Sequence, residues 1–188
     1  MRRILLTIFV ILTAALFVSA QTKTGEAITT QIKSLRAEKS LEIRYDKASN
    51  ISKILAFGAD FGGDQDRANH LSAFNFGITF FFVGSVLTTA PDSFTMTFWA
   101  EGKNSTFAES NAMTIIVDGE NLDVGNARYA RKNGDPREFL NFVMPRGDLE
   151  KIVKGRDVQL KIGKSQFKFK PAHIKLFSDL LTVSNPAQ

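Results

Sequence analysis

The chain has 188 residues, with 24 Lys and Arg against 19 Asp and Glu, two His and no Cys. That length suits one domain with a full core and is short for two. The missing cysteine excludes a disulfide scaffold, a thiol nucleophile and a lipid-modified cysteine anchor. A formal charge of +5, falling to +3 once Arg2 and Arg3 leave with a leader, is too mild to indicate a nucleic-acid binder.

Residues 1–20 have the three parts of an export signal: Arg2 and Arg3, the apolar run Ile4 to Phe17, and Val18-Ser19-Ala20 as a small-residue cleavage site. The run is slightly short for a membrane span of about 20 residues, so cleavage is expected over a retained anchor. Residues 21–40 are polar, with Ile28, Ile32 and Leu35 at helical spacing, which fits a short helix packed on the domain or a mobile lead-in. From Leu41 the pattern becomes β and predicts a single domain over 41–188. "LEIRYD" and "ISKILAFGADF" alternate, and "LSAFNFGITFFFVGSVL", broken by Asn75, Gly77 and Gly84, predicts a strand rather than a second span. In "SFTMTFWAE" one face carries Phe94, Met96 and Phe98 and the other Thr95, Thr97 and Trp99, which predicts a central strand.

"MTIIVDGENLDVG" predicts a hairpin about Asp118-Gly119. Residues 126–136 are polar and predict a loop, and "REFLNFVMP" predicts a strand stopped at Pro145. The next residues, "RGDLEKIV", contain an adhesion-like Arg-Gly-Asp. Leu149, Ile152 and Val153 follow at helical spacing, so Asp148 is expected to be the N-cap of a short helix, a reading preferred to receptor engagement. "VQLKIGKSQFKFK" predicts a hairpin about Gly163-Lys164 with Val158, Leu160, Ile162, Phe167 and Phe169 inward. Pro171 opens a closing helix with a stripe of Ile174, Phe177 and Leu181, and His173 is expected in solvent.

Few motifs carry chemistry. "GKS" at 163–165 lacks the earlier glycine and the following helix of a phosphate loop, and "DFG" at 60–62 stands without any kinase catalytic loop. Asp60, Asp64 and Asp66 in a glycine-rich stretch suit a hard cation such as calcium, although the spacing is not that of the twelve-residue calcium loop and such segments are ordinarily turns. Lys161, Lys164, Lys168 and Lys170 line the outward side of the last hairpin and suit an anionic glycan, or serve as lysines that discourage strand pairing.

The stretches "LEIRYDK", "MTIIVDGENLDVG", "FLNFVMPRGDLEKI" and "VQLKIGKSQFKFKPAHIKLFSDL" together resemble a loose group of exported bacterial proteins of unknown function. The resemblance covers about the last two-thirds of the chain. It implies a periplasmic or secreted β-sandwich and supplies no catalytic residues. The expected fold is mainly β, a two-layer antiparallel sandwich with a short helix and a C-terminal helix. The expected function is a non-catalytic binding or interaction module of the cell envelope. The alternatives are a hydrolase using acidic residues near Asp60–Asp66 and a calcium-stabilised domain. No catalytic residue is assigned, and no cofactor is expected apart from calcium in the last alternative. Expected partners are an envelope protein or an anionic glycan, without nucleic acid, and a membrane only where the leader is retained.

Overall fold

The computed structural model describes residues 41–186 apart from positions 59 and 133, so the leader and lead-in expectations lie outside the described residues. Two antiparallel sheets form the body. The larger contains β1 (Leu41–Asp46), β2 (Ile51–Phe57), β3 (Ala73–Val83), β4 (Ser93–Glu101), β7 (Arg128–Arg131) and β8 (Arg137–Pro145), in the order β1-β2-β3-β4-β8-β7. The smaller has β5 (Ala112–Val117), β6 (Glu120–Asn126), β9 (Val158–Ile162) and β10 (Ser165–Lys168), in the order β10-β9-β5-β6. Helices α1 (Gly63–Ala68), α2 (Arg146–Lys154) and α3 (Pro171–Val183) complete the fold. The expected sandwich with a short and a C-terminal helix is what the chain forms.

Period-two sequence explains the layering. In β4, Phe94, Met96, Phe98 and Ala100 are buried while Thr95, Thr97 and Trp99 are half-exposed, and β4 lies between β3 and β8 as a central strand. The Asp118-Gly119 turn has φ of 51° and 89°, the left-handed geometry that a tight two-residue hairpin requires. Asp118 is held in that conformation because its carboxylate accepts from the Arg156 and Asp157 amides at 3.0 and 2.8 Å. The Gly163 turn also lies where expected, with Ser165 opposite Ile162.

Between the layers lies a cluster of rings centred on Phe61. Its centroid is 5.3 Å from Phe74, 5.7 Å from Phe76, 5.1 Å from Phe167, 5.3 Å from Phe169 and 4.9 Å from His173. Phe74 of β3 stacks on Phe167 of β10 at 4.2 Å, joining the two sheets directly, and Phe76 meets Phe177 of α3 at 5.4 Å. The small sheet is two strands narrower than the large one, and α3 brings Leu176, Phe177, Leu180 and Val183 into the core beside it.

Four local expectations are corrected. The segment after Phe61 folds into α1 instead of a glycine-rich loop, and part of the polar stretch 126–136 pairs with β8 as the edge strand β7. The buried stripe of α3 is His173, Leu176, Phe177, Leu180 and Val183: Phe177 is buried as expected, while Ile174 and Leu181 only partly pack against the core at its margin, because His173 turns inward to the ring cluster. His173 is therefore 1% exposed rather than in solvent. Its Nδ1 accepts from the Lys170 amide, taking up a free N–H of the helix start, and its Nε2 lies 3.2 Å from the Asp60 carbonyl, which fits a neutral imidazole with the proton on Nε2.

The edge strand β10 has an unusual partner. Asn69 Oδ1 accepts from the Gln166 amide at 3.0 Å while its Nδ2 donates to the Gln166 carbonyl at 2.9 Å. One turn earlier, Gln65 does the same to Lys168, at 2.5 and 3.3 Å. Two side-chain amides four residues apart thus satisfy a strand edge that would otherwise offer free N–H and C=O groups.

Because Phe61 is 1% exposed and touches rings from every surrounding element, Phe61→Ala is expected to lower unfolding stability by about 3–5 kcal/mol. Urea denaturation monitored by circular dichroism checks this; a loss below about 1 kcal/mol would remove Phe61 from its central place.

Candidate functional site

The acidic residues singled out from sequence separate in space. Asp64 is on the outside of α1 in a surface ion pair with Arg67, Asp60 lies 3.6 Å from the Lys170 ammonium, and Asp66 points inward at 4% exposure. Among the described residues no three His, Cys, Asp or Glu side chains come together to hold a metal ion. Burial pushes the Asp66 carboxyl above its ordinary value, against the Phe74 amide that donates to it, and Oδ1 has no hydrogen-bond partner.

The lysine strip is broken in the same manner. Lys168 pairs with Asp157 at 2.6 Å, holding that carboxyl below its usual range, and Lys170 reaches the carbonyl and carboxylate of Asp60. Lys161 and Lys164 remain exposed. Lys164 helps to line a half-open cleft of about 560 Å³ with Asn69, His70, Asn104, Ser105 and Glu109.

That cleft rests on a group sequence reasoning missed. Glu138 is 1% exposed. Its carboxylate accepts from Ser105 Oγ at 2.5 Å, Tyr129 Oη at 2.8 Å, and the Thr106 and Phe107 amides at 2.8 and 3.4 Å. Burial raises its pKa, but the donors outweigh burial and the net shift is below 4.5. The arrangement fixes the 102–111 loop on the sheet, since Ser105 is spent as a donor. Nothing in the one-dimensional spacing of Ser105, Tyr129 and Glu138 signals it.

Asp148 is also relocated. The helix begins at Arg146, with Pro145 at the N-cap and no side-chain cap bond. Pro145 ends β8 opposite Ser93 in extended conformation and passes straight into the helix, while the Arg146 amide is satisfied by the Asp92 carbonyl at 2.8 Å. Asp148 is thus the third helical residue, 3.3 Å from Lys151. Arg146 is bound by Glu150, Ser184 and Asn185 at 3.0, 2.9 and 2.7 Å, so the Arg-Gly-Asp triplet is the first turn of a docked helix.

The largest departure from an ordinary surface is the outer side of the large sheet. Ile51, Phe57, Phe81, Val83 and Val143 all point outward there, between 40% and 77% exposed. Leu55, Trp99 and Phe139 are half-buried on the same side. Register places small residues along the middle, with Gly77 opposite Thr97 and Thr79 opposite Thr95. Larger side chains flank them: Leu55 and Phe57 on β2 and Val143 on β8, with Trp99 and Phe139 at one end and Phe81 and Val83 at the other. The Trp99 ring leans over Gly77, where a Cβ would come within 3.5 Å of Cζ3. The result is a shallow apolar groove, walled only in part by polar groups such as Lys53, whose ammonium sits 5.6 Å from the Phe81 ring centre. A signal for it was present in the sequence, in strands apolar on both faces.

No protein-family model matches the chain, and no curated protein matches it. A solved structure of a protein of unknown function from Burkholderia pseudomallei is similar over 50% of this chain, with 16% identity and a TM-score of 0.32. The chain spans 58% of that protein's length.

Two carboxylates give opposite pH signatures. Glu138, with its folded value depressed, contributes stability above 4.5 that is lost as pH falls through the folded value. Glu138→Gln is therefore expected to melt lower than the parent at pH 7, with the gap closing in acid. Asp66, with its folded value raised, weakens the fold as pH rises from 3.8 through the folded value. Asp66→Asn is expected to melt higher than the parent at pH 7 and to lose that advantage below 3.8. Thermal melts across pH 3–8 (about that range suffices) read both. Asp148→Ala is expected to cost under about 0.5 kcal/mol, the scale of a surface helix pair, rather than the ~1 kcal/mol of a lost cap.

Proposed function

We propose that this protein is a non-catalytic interaction module of the bacterial cell envelope, exported behind residues 1–20, whose working surface is the outer groove of the large sheet. The reading rests on one observation: five of the seven exposed large hydrophobic side chains among the described residues lie on that single face. Contiguous exposed apolar area of this kind is kept on soluble domains for contacts. The partner that fits is an envelope protein offering an apolar helix or loop, since the groove has little charge with which to select a glycan. Its floor is made of sheet backbone and short side chains, so it presents a rigid template rather than a reactive pocket. The acidic groups that a hydrolase would use sit in three different surroundings, Asp64 in solvent, Asp60 beside Lys170 and Asp66 buried, which favours binding over reaction.

A photo-reactive amino acid in place of Val143, introduced in the producing bacterium, is expected to give a discrete cross-linked adduct heavier than the chain. The same residue in place of Lys161, on the small sheet, is expected to give none. Absence of an adduct at Val143, or equal adducts at both positions, would overturn the proposal. Val143→Asp should abolish the contact while leaving folding stability within about 0.5 kcal/mol, because the side chain is 60% exposed.

A further inference from the structure

We propose that the cleft between the end of α1, the 102–111 loop and the β9–β10 turn binds a small zwitterion, a free amino acid or short peptide. This site is separate from the outer groove and stands whether or not that surface takes a partner.

Each wall is pinned by polar groups that are already spent. Asn69 closes the first wall, its side-chain amide bound at both ends to Gln166. Glu138 holds the 102–111 loop from beneath, through Ser105 and the Thr106 and Phe107 amides. At the base of that loop the Ser72 N–H and Oγ donate to the Glu101 carbonyl at 2.7 and 3.0 Å. The turn presses on the same loop. The Gly163 N–H donates to the Ala112 carbonyl at 3.0 Å, and a Cβ at Gly163 would fall 2.3 Å from the Ser110 carbonyl oxygen. Walls so fixed lose little freedom when a ligand enters.

The groups left over are of a different kind. His70, Asn104, Glu109 and Lys164 line the cleft, and among the described residues none of their side chains has a hydrogen-bond or ion-pair partner. The backbone at His70 adds a second observation. Its N–H donates to the Arg67 carbonyl at 3.0 Å and the Leu71 N–H to the Asp66 carbonyl at 2.9 Å, the double closure that ends a helix on a left-handed residue. Glycine ordinarily fills that place, yet here a histidine holds φ at 61°. Backbone strain kept for the sake of a side chain beside a cleft points to a contact with a ligand.

The lining excludes most ligand classes. It carries one carboxylate and one ammonium, so a ligand of a single sign meets a like charge. It holds no Phe, Tyr or Trp, so a nucleobase, a sugar face or a quaternary ammonium has no platform. A peptide ammonium at Glu109, a carboxylate at Lys164 and amide groups bonded by Asn104 and the Thr106 and Ser110 hydroxyls make a complementary set. The volume of about 560 Å³ falls within the range of about 300–1,000 Å³ usual for small-ligand sites.

Titration of the protein with dialanine, followed by two-dimensional NMR, tests this. Saturable shifts at the His70, Ser110 and Lys164 amides are expected, with Kd below about 1 mM. N-acetyl-dialanine, which lacks the ammonium, and dialanine amide, which lacks the carboxylate, should each bind at least about tenfold more weakly. Glu109→Gln should abolish the preference for the free ammonium and Lys164→Gln that for the free carboxylate, each leaving the other preference in place. Both side chains are exposed, so both variants should melt with the parent. His70→Gly relieves the left-handed backbone and should melt no lower than the parent, while binding dialanine several-fold more weakly.

No saturation by about 10 mM dialanine would overturn the proposal, as would equal affinity for the capped peptides. Shifts at these amides from inorganic phosphate or methyl glucoside alone would assign the cleft to an anion or a sugar and overturn it equally. Shifts from dialanine confined to the outer face of the large sheet would sink this site and leave the outer groove standing.

Discussion

Close packing of phenylalanine rings from both layers around Phe61 is the contact on which the rest of the structure depends. A two-layer domain without disulfides has only its core to hold the layers together, and each fully enclosed ring contributes about 2–3 kcal/mol. Here the rings come from α1's approach segment, from β3, from β10 and from α3. Removing any one of these elements would leave the others with an open apolar surface. The stretch around α1 accordingly gives Phe61 and Leu71 to the core, although its glycines and aspartates give it the composition of a surface turn.

This explains which parts of the fold were legible in the sequence and which were not. Strands β4 and β8, both two-residue hairpins and the bounds of α3 follow from local signals: alternation, Asp-Gly and Gly-Lys turns, and a proline at the helix start. The errors arise where a distant partner decides. α1 forms over a sequence rich in helix-disfavouring residues because Phe61, Gln65 and Asn69 must reach β10. The phase of α3 is set by the ring cluster, which takes in His173 against its polar neighbours. The start of α2 is set by the carbonyl of Asp92, far earlier in the chain, so the acid that ordinarily caps is not needed to do so.

The candidate surface was legible only in part. Apolar residues on both faces of β4 predict a central position, and β4 is central in the sheet. But a central strand explains neighbours at its sides, not an apolar outer face, and the same double-sided pattern runs through β2, β3 and β8. Buried polar groups, by contrast, were invisible. Glu138 and Asp66 are two carboxylates at similar depth with opposite tendencies, and the difference lies in the number of N–H and O–H groups aimed at each. No linear spacing encodes that number, because the donors to Glu138 come from the 102–111 loop and from Tyr129 of β7, brought together only by the fold.

The amide pair of Gln65 and Asn69 has a further effect on how copies of this molecule can associate. A sheet that elongates from one molecule to the next needs two receptive borders, one to give and one to take. With the β10 border occupied by α1, the small sheet has β6 as its remaining border. Joining one small sheet edge-to-edge with another must therefore set β6 against β6 and then stop, so that contact closes on a pair. A six-residue helix thus withdraws one border of the small sheet from strand pairing while contributing no strand of its own.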